Sequence, residues 1–164
     1  MGFFDKAKSF FGGHGVKVEI TRLERQDPST VTFPIGDSVF KGNWRVVTEK
    51  PCTVLSHTHE LVVKKTFADG REEELVVGED THDNNTDILG HPLKWPYDLQ
   101  AGGAAEDSFL IDDIDLPKAL RRLGYANPED AITDTNVEVF FRATADVKGS
   151  PFDPDATAKV RLIP

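Results

Sequence analysis

An antiparallel β-sandwich is the fold class this sequence predicts, and three features predict it. The last quarter of the chain is a closing hairpin: Val137, Val139, Phe141, Ala143 and Ala145 alternate with polar neighbours, a Gly/Pro/Asp turn follows, and Ala158, Val160 and Leu162 repeat the pattern. The same period of two runs through Val16-Lys17-Val18-Glu19-Ile20 and through the long stretch Thr53 to Phe67. Asp69-Gly70, the strongest hairpin dipeptide in the chain, then joins that stretch to an antiparallel partner over 72–77.

From the N-terminus, Phe3, Phe4, Ala7, Phe10 and Phe11 fall at helical spacing on one face of residues 1–12, with Asp5, Lys8 and Ser9 opposite. Gly12, Gly13 and Gly15 end that amphipathic helix, so residues 1–15 form an appendage and 16–164 the domain. The first strand is Val16 to Leu23. Thr30 to Thr48 gives an extended lead-in, a Pro34/Gly36 turn and another strand, in which Gly42 signals a bulge or a close backbone approach. Residues 78–107 are rich in Gly, Asp, Asn, His and Pro and predict loop, broken by one short strand over 93–99. Ser108 to Ile114 is extended. Asp115 as N-cap, Pro117 in the first turn, Arg121 and Arg122 in the last and Gly124 beyond it define one internal helix near 117–123. Residues 127–134 connect it to the closing hairpin, for seven or eight strands in all.

Composition bounds what such a domain does. At 164 residues, 38% hydrophobic and 29% charged, the chain suits one globular domain with a core of its own. One cysteine, Cys52, allows no intrachain disulfide and no cysteine-based zinc site, and a reducing compartment, the cytoplasm, is the economical expectation. No stretch has the length of a membrane helix or the pattern of a secretory signal. The net charge of −9 is concentrated over 69–115, which holds fourteen acids against Arg71 and Lys94. That field disfavours nucleic acid and favours a basic protein surface or a cation.

Three stretches resemble an arrestin-type sandwich of the bacterial sporulation-control branch: Phe33 to Trp44, with its Pro/Gly turn leading into a glycine-containing strand; His91-Pro92-Leu93-Lys94-Trp95-Pro96-Tyr97; and Val139 to Leu162 with its Pro151-Phe152-Asp153-Pro154-Asp155 turn. The resemblance covers about half the chain. It implies an immunoglobulin-like sandwich, here a single lobe of the N-terminal type, and a non-enzymatic adaptor or regulatory protein-interaction module linked to sporulation or stress control. No cofactor is expected, and the protein partner is unidentified.

Candidate sites are few. Phe3, Phe4, Phe10 and Phe11 are the candidate partner anchors; the same stripe also suits a membrane surface, the domain's own sheet or a homodimer contact. His57 and His59, two apart on a strand, put both imidazoles on one face and with His82 or His91 offer nitrogens to zinc; the alternative is that they face solvent. No metal site is assigned on these grounds, because no third ligand follows at a defining spacing. The second function class is a calcium-dependent sandwich that would use Asp80, Asp83, Asn85 and Asp87, whose oxygens fall in the alternation a hard cation favours. Counted from Asp83, an EF-hand loop would need Gly and Glu where Ile88 and Lys94 stand. No nucleophile elbow or phosphate-binding loop is present, and no catalytic residue is assigned.

Overall fold

The computed structural model describes residues 15–27, 30–83 and 96–164. Residues 1–14 of the N-terminal appendage, with its four phenylalanines, and Asn85, Asp87 and His91 lie outside the described residues. The described chain is mostly β, in the order β1 (Val16–Leu23), β2 (Gln26–Asp27), β3 (Thr30–Pro34), β4 (Phe40–Thr48), β5 (Cys52–Thr66), β6 (Glu72–His82), β7 (Tyr97–Leu99), β8 (Ala104–Ile111), α1 (Leu116–Arg122), a 3₁₀ turn (Pro128–Ile132), β9 (Val137–Val147) and β10 (Asp155–Ile163).

Two sheets face each other. The smaller runs β1-β4-β8; the larger runs β2-β3-β10-β9-β5-β6, with β7 added beside β5. Each strand lays its period-two apolar face on the other sheet, so that Val16, Val18, Ile20, Trp44, Val46, Phe109 and Ile111 meet Leu61, Val63, Val139, Phe141, Ala143 and Val160 in one core. Phe40 is a central knob, with its ring centroid 5.8 Å from Phe33, 6.1 Å from Phe109 and 5.6 Å from Phe141. On the outer face Arg142 of β9 bridges Glu60 of β5 at 2.7 Å and Glu74 of β6 at 2.9 Å, aligning three adjacent strands.

Five expectations are corrected. Among the described residues the strands number ten, and they are not all antiparallel: β3 runs parallel to β10, pairing Val31 with Val160 and Phe33 with Leu162. The region expected to be loop after Val77 continues as β6 to His82, and β8 begins at Ala104, before the expected Ser108. The connector before the closing hairpin holds the 3₁₀ turn. The internal helix stands as expected, with the Asp115 carboxylate accepting from the Lys118 backbone N–H at 2.9 Å.

Gly42 is the close approach its position suggests. A Cβ there would lie 2.3 Å from the Arg22 carbonyl oxygen, opposite a register shift between Ile20 and Arg22 in β1.

A candidate histidine–aspartate metal centre

Two register shifts build the site. On β5, Val54 is buried and Leu55 turns outward; the pairing with β9 slips between Val54 and Ser56, and His57, His59, Leu61 and Val63 then take the inner positions. On β6, Glu73, Leu75 and Val77 lean inward, but the pairing with β5 slips at Leu61/Val62: Leu61 pairs with Gly78 and Val62 with Val76, leaving Val77 as the extra residue. Beyond this bulge the inner positions pass to Gly78, Asp80 and His82, and Glu79 and Thr81 face out. A bulge re-aims every side chain beyond it because the strand period is two. Gly78 fits the spot: a Cβ would meet Ile111 Cγ2 at 2.5 Å and Ile114 Cγ1 at 2.7 Å.

The outcome is a set of facing pairs, His57 with His82 and His59 with Asp80, across the inner face of β5 and β6. Asp107, on the inner side of β8, and Trp44 of β4 close the group from the small sheet. Ring centroids lie 4.5 Å apart for His57 and His82, 4.6 Å for His57 and His59, and 3.9 Å for Trp44 and His57. His59 stacks on Phe109 at 4.6 Å. His57 and His59 are 1% and 0% exposed, which overturns the reading that they face solvent. They are buried because the small sheet covers this end of β5.

The polar contacts are directional. Asp80 Oδ2 lies 2.9 Å from His82 Nε2 and accepts the Leu110 backbone N–H at 3.0 Å, so it ties the edge of β8 to the large sheet. His82 Nδ1 faces Asp107 Oδ2 at 3.5 Å. Neither ring nitrogen of His59 makes a hydrogen bond of ordinary geometry among the described residues, and its backbone interaction is with Asp80. His57, His82 and Asp107 each present a ligand atom within 4.8 Å of the other two, the one such trio among the described residues.

Protonation follows the surroundings. Burial holds His57 far below the ordinary imidazole range, reinforced by His59 and His82. Burial likewise brings His59 down to about 3, against an opposing pull from Asp80. At His82 burial works against the charge, but hydrogen bonds and charge from Asp107 and Asp80 outweigh it and push the ring up to about 9. Asp80 and Asp107 resist burial through the same contacts and sit below the usual carboxylate range. Two neutral imidazoles and two carboxylates therefore surround one imidazolium.

Of the residues suggested for calcium, Asp80 is turned inward to His82, and Asp83 follows the end of β6. Of the histidines offered to zinc, the fold brings the rings of His57, His59 and His82 together, and His57 and His82 lie within ligand range of Asp107. Sequence reasoning missed Asp107, and no local signal marks it: it lies 25 positions after His82 with a long polar stretch between. Cys52, at the start of β5, is half-buried and free. Comparison with protein-family models and with curated proteins finds no match.

Proposed function

We propose that this chain is a non-enzymatic binding module whose interior site takes a divalent transition-metal ion through His57, His82 and Asp107. The observation that carries the reading is the convergence of two imidazoles and a carboxylate from β5, β6 and β8 within 4.8 Å of one another. Nitrogen donors with one carboxylate suit zinc and its neighbours; calcium and magnesium want oxygen throughout. Donor atoms on a tetrahedral ion with bonds near 2.0–2.1 Å stand about 3.3 Å apart, so modest side-chain rotations bring the trio into range.

Asp80 fits a positioning role. Held by the Leu110 N–H, it accepts from His82 Nε2 and leaves Nδ1 pointing at Asp107, the carboxylate–histidine–metal arrangement that fixes ring orientation. His57 is buried between the sheets, while Asp107 and Trp44 also line an open surface hollow with Thr21, Arg22 and Asn43. Calorimetric titration with Zn²⁺ tests the reading: one site is expected, lost in Asp107→Ala and in His57→Ala. Absence of any Zn²⁺ or Co²⁺ binding would sink it.

A second reading, the arrestin-like cytoplasmic adaptor with Phe3, Phe4, Phe10 and Phe11 as anchors, is favoured by β6. It is the outer strand of the large sheet, and Val76 on it is 47% exposed. A pull-down with and without residues 1–12 tests it: a partner that needs the phenylalanines supports it, and identical captures count against it.

A further inference from the structure

Resting on the metal-binding reading, we infer that His59 is the fourth ligand, so that the ion sits in a closed three-nitrogen, one-oxygen site and clamps the two sheets together. His59 is fully buried, and apart from an interaction with the Asp80 backbone neither of its ring nitrogens makes a hydrogen bond of ordinary geometry among the described residues. A buried polar group left in that state is costly, and native interiors rarely keep one without a reason. Its neighbours are the proposed ligands themselves, with its centroid 4.6 Å from that of His57 and 5.9 Å from that of His82; its nitrogens stand outside the 4.8 Å trio, so the inference requires the ring to move toward the ion when it binds. A lone pair donated to an ion beside those rings would satisfy the group.

The alternative role, an aromatic filler against Phe109, would be served as well by phenylalanine, which carries no buried nitrogen. Three protein ligands with an open position mark catalytic zinc, and four mark structural zinc. The position of His59 places this site in the second class. Three of the four ligands come from the large sheet, through β5 and β6, and Asp107 comes from the small one, so the bound ion cross-links the sandwich at the edge where β6 meets β8. The chemistry is that of zinc, with cobalt as its spectroscopic substitute.

Titration of the full chain with Co²⁺, read by visible absorption and by calorimetry, tests this beside His59→Phe. The expected result is an intense tetrahedral spectrum in the unsubstituted chain that collapses in His59→Phe, with affinity about 10-fold or more weaker, the scale seen when a metal site loses a supporting group. Unchanged spectrum and affinity in His59→Phe overturn the inference and leave the metal-binding reading standing. No Co²⁺ binding to the unsubstituted chain overturns both. A long-range ¹H–¹⁵N spectrum of the unsubstituted chain with and without Zn²⁺ gives a readout independent of folding of the variant: metal-bound nitrogens on three imidazoles support the fourth ligand, and on two refute it.

Discussion

Gly78→Ala tests the device that turns His82 and Asp80 inward. The added Cβ would sit 2.5 Å from Ile111 Cγ2 and 2.7 Å from Ile114 Cγ1. Carbon atoms rest at about 3.5–4.0 Å, so one side must yield by roughly 1 Å. Ile111 and Ile114 are 0% and 4% exposed and hemmed in by the core, and overpacking a buried site of this kind costs about 1–3 kcal/mol. The lost freedom of the unfolded chain returns about 0.4–1 kcal/mol, for a net loss of about 0.5–2 kcal/mol. In a domain of this size that lowers Tm by about 1–8 °C. Urea unfolding followed by circular dichroism measures the change, with Gly36→Ala as the control, since a Cβ at Gly36 meets nothing within 4 Å. Because the strain falls between β6 and β8, Zn²⁺ affinity should drop with stability. A Gly78→Ala chain as stable as the parent, or more so, would refute the packing argument for the bulge.

Two further outcomes are expected. In the metal-free chain His59 is held neutral with its pKa brought down to about 3. The unfolded chain takes up a proton below about pH 6.5 that the folded chain refuses, so this group's contribution is present above that pH and fades as pH falls toward 3, by about 1.4 kcal/mol per unit. The denaturation midpoint should therefore fall between pH 6.5 and 4.5, and less steeply in His59→Phe; equal slopes would show that the imidazole is not held neutral. Separately, Lys65 Nζ donates to the Leu123 carbonyl at 2.8 Å at the end of α1 and lies 4.0 Å from the Tyr125 ring centroid. Lys65→Met should cost about 1–2 kcal/mol in urea unfolding and raise amide exchange across α1, and unchanged exchange there would count against that contact as the helix anchor.

The alternation in the chain was enough to place most of the strands. Val16 to Ile20, His57 to Val63 and the closing hairpin carry their inner faces in period two, and the capping signals of α1 are local to Asp115 and Gly124. Local chemistry determines local structure there, and burial of one face does the rest. The end of β6 was misread because Gly78 interrupts the alternation and polar residues follow it. Glu79 to His82 look like a solvated turn until a neighbouring strand supplies the hydrogen bonds and a second sheet supplies the cover.

The candidate site divides the same way. That His57 and His59 share a face is a property of the sequence, since any extended strand places residues two apart on one side. That the face is interior, that His82 lies opposite His57, and that Asp107 arrives from another sheet are properties of the tertiary structure alone. Pairing register, set by one extra residue at Val77 and one at Leu55, decides which side chains meet, and register is a long-range quantity settled by the summed packing of two sheets.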